Sequence, residues 1–148
     1  MNKFILPFYF FFISIASFGQ QKNPLTWTTN YKALSATEGE ITITALIEKG
    51  WHTYSQRPTD AGPISTIITF PTSKQFTLIG KTEESNAHEE FDKAFEAMLF
   101  TFTDKAEFKQ KIKFTKPGFI VSFKVEAVCC NESMCLPPKS TDLTVKIQ

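Results

Sequence analysis

The sequence predicts an all-β domain, a sandwich or a barrel, on two observations. Apolar and polar residues alternate with period two over several short segments. The connecting stretches carry Pro, Gly, Asn and Asp, and no apolar pattern of helical period is sustained after the N-terminal segment. A chain of 148 residues suits one domain with one core.

The N-terminal segment stands apart. Six of the 16 Phe lie within its first 18 residues. Lys3 precedes a run that is apolar from Phe4 through Ala16 except for Pro7 and Ser14, and Ser17-Phe18-Gly19 supplies small residues at a cleavage site. A positive start, a short apolar stretch and a small-residue site define a secretory signal peptide over 1–19. The run is shorter than the roughly 20 apolar residues of a membrane span; a retained N-terminal anchor is the competing reading. No cysteine follows the run to carry a lipid. The expected product is residues 20–148, a soluble exported domain without stable membrane insertion, in a compartment where disulfides persist.

The strands follow in order. Ile41, Ile43, Ala45 and Ile47 share one face of the first. Gly50 precedes Trp51-His52-Thr53-Tyr54, in which Trp51 and Tyr54 pack the sandwich or border a site and His52 reads as a strand-edge hydrogen-bonding residue. Segments 64–70 and 76–79 end at Pro71 and Gly80. Met98, Phe100 and Phe102 alternate with Leu99, Thr101 and Thr103. Phe108, Ile112 and Phe114 face away from Lys109, Lys111 and Lys113, with Gln110 as the polar exception. After the Pro117-Gly118 turn, Phe119, Val121, Phe123, Val125 and Ala127 form the clearest strand, and Leu143, Val145 and Ile147 the last. Between residues 87 and 98, Phe91, Phe95 and Met98 fall at spacings of four and three, which fits a helical turn or a long surface loop.

Charge excludes one class of partner. Sixteen basic and fifteen acidic residues give +1, and loss of Lys3 with the signal segment leaves zero. Nucleic-acid binding needs a clustered positive surplus. Hydrolytic signatures are missing too: there is no Gly-x-Ser-x-Gly, His-Glu-x-x-His or phosphate loop.

All three cysteines lie in Cys129-Cys130-Asn131-Glu132-Ser133-Met134-Cys135, before Leu136-Pro137-Pro138. A Cys130–Cys135 bridge closes so short a loop that its chain-entropy benefit is about 2 kcal/mol, against about 4.7 for a 100-residue loop. Such a bridge does little to staple a domain, and suits reversible thiol–disulfide exchange; a small structural clip is the alternative. Loop entropy does not separate Cys130–Cys135 from Cys129–Cys135, and an adjacent Cys129–Cys130 bridge would close a strained ring. Register is a better guide. If the alternation from Phe119 runs on unbroken, Cys129 joins Val125 and Ala127 on the core face as an inert hydrophobe. Cys130 then faces the other way and pairs with Cys135. Pro137-Pro138 stiffens the exit and presents Cys135 at the loop edge.

The cysteine segment, residues 125–138 with the core Cys-Asn-x-x-x-Cys-Leu-Pro-Pro, resembles the N-terminal periplasmic domain of the bacterial thiol:disulfide interchange protein DsbD. Gly50-Trp51-His52-Thr53-Tyr54-Ser55 and His88-Glu89-Glu90-Phe91-Asp92 extend the likeness. The resemblance implies an immunoglobulin-like β-sandwich with a redox-active loop and a cap loop. It implies relay of electrons from a thioredoxin-like donor to periplasmic acceptor proteins without a bound cofactor, an oxidoreductase-like activity on protein disulfides. In that pattern Cys135 forms the mixed disulfide with partners and Cys130 resolves it. Phe91 matches an aromatic cap, with a core-packed loop anchor as the competing role, and Glu90, Met134 and Tyr54 are expected at the cap or partner surface. Two departures stand out: Cys129 is an extra thiol, and the membrane and C-terminal thioredoxin-like domains are missing, so electrons are expected from a separately encoded membrane protein.

Two other functions compete. One is a non-catalytic sandwich that binds an envelope protein and keeps a structural disulfide. The other is a soft-metal site for copper(I) or zinc on the three thiolates with Met134, Met98 or His88, although Cys129-Cys130 lacks the Cys-x-x-Cys spacing of zinc sites.

Overall fold

The computed structural model describes residues 23–85 and 87–148; the signal segment expected over 1–19 lies outside them. Among the described residues there are eleven strands and no helix. β1 (Leu25–Ala33), β2 (Glu38–Ile47), β8 (Lys105–Phe114) and β5 (Phe76–Glu84) form one sheet in the order β1-β2-β8-β5. A second sheet runs β10-β3-β7-β6, from β10 (Cys129–Cys130), β3 (His52–Tyr54), β7 (Ala97–Thr103) and β6 (His88–Asp92). The third, β11-β9-β4, uses β11 (Lys139–Ile147), β9 (Phe119–Ala127) and β4 (Ile67–Thr69). All pairings are antiparallel. The architecture is all-β and immunoglobulin-like.

The alternating residues build the core as expected. Ile41, Ile43 and Ala45 of β2, Phe108 and Ile112 of β8, and Val121 of β9 have no exposed surface. One cluster joins side chains from all three sheets. Its rings meet edge to face or stacked: Phe102 and Phe108 at 5.7 Å, Phe76 and Phe119 at 6.1 Å.

Three expectations are corrected. β5 does not stop at Gly80 but continues to Glu84, its pairing with β8 shifting between Ile79 and Glu83. Gly80 takes φ +67°, a conformation open to glycine. The buried Gln110 fills the gap left in the ladder: its amide nitrogen donates to the Ile79 carbonyl at 3.2 Å and its oxygen accepts from Thr82 Oγ1 at 2.8 Å. Residues 87–98 are neither a helical turn nor a long loop. β6 and β7 form a hairpin in which Phe91 and Met98 are direct partners, so the helical spacing is a coincidence overridden by strand pairing. Finally, β9 does not run unbroken into the cysteines. It ends at Ala127, and after Val128 the chain leaves β11 and β4 to pair with β3 as β10.

Candidate functional site

The switch of sheets at Val128 creates the site. Alternation survives it: Ala127 and Cys129 enter the main core, whereas Val128 and Cys130 enter a second, smaller cluster with Tyr54 and Leu99. Thr53 Oγ1 donates to the Val128 carbonyl at 2.7 Å, satisfying the backbone where the regular pairing lapses.

Beyond Cys130 the chain turns back at once. Asn131 N–H donates to the Met134 carbonyl, and the Asn131 side-chain oxygen accepts from the backbone N–H of Ser133 and of Met134, all at 2.9 Å. An Asx-type turn of this kind needs a short side-chain acceptor, which Asn131 provides. Leu136 N–H closes the loop on the Cys129 carbonyl. Cys130 and Cys135 thereby become antiparallel partners with Cα atoms 4.0 Å apart, joined by a disulfide. Cys130 has no exposed surface, whereas Cys135 is partly exposed. Cys129 is a free thiol in the core, and burial, with the negative Glu48 as a smaller contribution, pushes its pKa up to about 12.

Register fixes what surrounds the sulfurs. Directly opposed residues share a face of a sheet, and neighbours along a strand alternate. Cys130 opposes His52, Tyr54 opposes Thr101, and Leu99 opposes Glu90. His52, Tyr54, Leu99, Glu90 and Asp92 therefore lie on the disulfide face of the second sheet. Phe91, Met98, Phe102 and Cys129 lie on the other. Phe91 is 58% exposed there, and the aromatic packed against the Tyr54–Cys130 cluster is Phe95, from the turn between β6 and β7. Glu90 is exposed and accepts a hydrogen bond from Thr101 Oγ1 at 2.6 Å; Met134 is exposed on the cysteine loop.

A polar network underlies that turn. Tyr54 donates its hydroxyl to Asp92 Oδ2 at 2.6 Å, and His52 Nε2 lies 3.3 Å from the same oxygen and 3.1 Å from the Tyr54 oxygen. Asp92 Oδ1 accepts from the backbone N–H of Ala94 and of Phe95. Burial raises the Asp92 pKa, but these donors, Tyr54 first, more than offset it and hold the carboxyl below its usual range. Burial, then the hydrogen bond to Asp92, raises Tyr54 far above an ordinary phenol. The sequence marks Phe95 only by its spacing and Asp92 only as the end of a motif; neither signals this role, because their partners on β3 lie about 40 residues away.

The metal alternative finds no assembled donor set. Two of its three sulfurs are bonded to each other, and the third faces the core. Among the described residues no group of three or more His, Cys, Asp or Glu is placed to hold a metal ion, and no helix is long and apolar enough to cross a membrane.

Fold and site together define a β-sandwich bearing a short-loop disulfide on the outer face of one of its sheets. The family model for the N-terminal domain of the thiol:disulfide interchange protein DsbD matches residues 22–147, and the chain belongs to that family. Among solved structures it resembles the reduced DsbD N-terminal domain of Neisseria meningitidis, with 14% identity and a TM-score of 0.54 over 84% of this chain and 91% of that one. The DsbD N-terminal domain in complex with the PilB N-terminal domain, also from Neisseria meningitidis, gives 13%, 0.52 and 80% of each chain. The N-terminal periplasmic domain of ScsB from Proteus mirabilis gives 12% and 0.62, over 84% of this chain and 47% of that one. No curated protein sequence matches significantly.

Proposed function

We propose that this chain is a periplasmic thiol–disulfide exchange domain that relays electrons from a thioredoxin-like donor to acceptor proteins through Cys130 and Cys135. The unequal exposure of the bonded pair carries the reading: a partner thiolate meets Cys135, while Cys130 is sheltered as the leaving group. In the first step the partner thiolate attacks Cys135 Sγ. The Cys130–Cys135 bond breaks, and Cys130 leaves as a thiolate that takes up a proton. The partner's second thiolate then attacks the partner's own sulfur in the mixed disulfide. That bond breaks, Cys135 leaves as a thiolate that takes up a proton, the partner is oxidised by two electrons and this chain becomes a dithiol. The reverse sequence reduces an acceptor.

Met134 offers apolar surface on the cysteine loop, Glu90 adds a charge on the disulfide face, and Tyr54 packs in the cluster that holds Cys130. Phe91, exposed on the opposite face of the edge strand β6, adds apolar surface for a partner that reaches around that edge. The DsbD domain solved in complex with PilB supports a protein partner. Export rests on segment 1–19 acting as a signal, and the electrons come from a membrane protein by way of the thioredoxin-like donor.

Trapping tests the proposal. Cys130→Ser in native envelopes leaves Cys135 without its resolving thiol and is expected to accumulate mixed disulfides at Cys135. A reduced Cys135 that captures nothing in the presence of envelope thioredoxin-like proteins overturns it.

A further inference from the structure

We infer that Asp92 is a positioning residue that latches the β6–β7 turn to β3 and so holds Phe95 over the Tyr54–Cys130 cluster, restricting access to the disulfide. The inference deepens the exchange reading and concerns access alone. Its geometry divides the carboxylate. Oδ1 accepts from the backbone N–H of Ala94 and Phe95 within the turn; Oδ2 accepts from the Tyr54 hydroxyl and contacts His52, both on the strand that pairs with β10. Asp92 is 7% exposed and Tyr54 3%. The tether is thus shielded from competing water, and a charge-assisted bond is the strong kind. The Phe95 ring meets Tyr54 edge to face at 6.2 Å, against the cluster that contains Cys130 and flanks Cys135. Within the turn Glu96 sits at φ +51°, a conformation unfavourable to a side chain. One bifunctional carboxylate therefore sets where the aromatic lies.

The two oxygens can be tested separately. Asp92→Asn keeps an oxygen for the turn amides but presents an NH₂ group to Tyr54, and Tyr54→Phe keeps the ring and deletes the donor. The probe is the phosphine TCEP, which reduces a disulfide by attack at sulfur, ending as the phosphine oxide with its oxygen from water. Its rate on the oxidised domain reports access without any partner protein. Phe95→Ala should speed reduction about tenfold or more, and D92N and Y54F each by several-fold up to about tenfold, the weight of a charge-assisted hydrogen bond. Combining either with F95A should add nothing, since both act through Phe95. In denaturant all variants should react alike. Wild-type rates in F95A, wild-type rates in both D92N and Y54F, or effects that multiply with F95A overturn the latch. A failed trapping experiment with an intact TCEP result would instead overturn the relay reading and leave the latch standing.

Discussion

Cys129 and Cys130 are neighbours in sequence, yet their side chains enter different apolar clusters on opposite faces of the second sheet. That separation assigns them different chemistry. Cys130 is bonded at the outer face, whereas Cys129 sits in the core with its thiol raised to about 12. Only a thiolate attacks a disulfide, so Cys129 is a poor competitor for Cys135 at neutral pH. The oxidised native protein should show no reactive thiol towards iodoacetamide between pH 7 and 9, and one per chain once unfolded. Cys129→Ala should retain the Cys130–Cys135 bond and cost about 1 kcal/mol from the cavity it leaves.

The Asp92 carboxyl makes stability depend on acid. Its folded pKa lies below the unfolded value, so its contribution is complete above the ordinary carboxylate range and is lost as pH falls through the folded pKa. Glu107, lowered chiefly by its hydrogen bond to Lys105 despite the opposing effect of burial, acts in the same direction. The melting temperature should therefore fall as pH drops below about 4. Asp92→Asn should be less stable at neutral pH and show a shallower acid decline, and the difference between the two curves isolates Asp92 from Glu107. Equal slopes would show that the carboxylate is not held as the structure places it.

Gln110 shows both the reach and the limit of the sequence. Alternation marks it as the polar exception on a core face, and β2, β8, β9 and β11 are legible because their inward residues are large and apolar along most of their length. What Gln110 does was hidden, since its partners Ile79 and Thr82 flank a register shift that no local pattern announces. β1 carries no such signal, because its inward positions after Leu25 include Trp27, Thr29 and Tyr31 and are only half-buried. β6 reads as His-Glu-Glu-Phe-Asp, too polar to signal a strand; pairing with β7 makes it one. The cysteine loop was legible because all of its parts are local, whereas the Asp92–Tyr54 contact joins two segments that only the fold brings together. Gln110→Ala should cost about 1–3 kcal/mol in urea unfolding, the penalty for polar partners left buried and unpaired.

The disulfide should matter more to chemistry than to stability. Cys130 and Cys135 are five residues apart, so their bond removes little freedom from the unfolded chain, about 2 kcal/mol. Reduction should leave the sandwich folded and lower its melting temperature by on the order of 5–10 °C. By linkage, a bond that stabilises the native state this little is also stabilised little by it. Its potential should thus fall among the exchange proteins, between about −180 and −270 mV, rather than below about −300 mV where structural disulfides lie. Equilibration with glutathione or a dithiol buffer, read by thiol alkylation, measures it. Because about 30 mV corresponds to 1.4 kcal/mol, a value below −300 mV would mean that folding supports the bond by more than its short loop accounts for. The Cys130–Cys135 pair would then be a clip on the loop, and the electron relay would need other sulfurs.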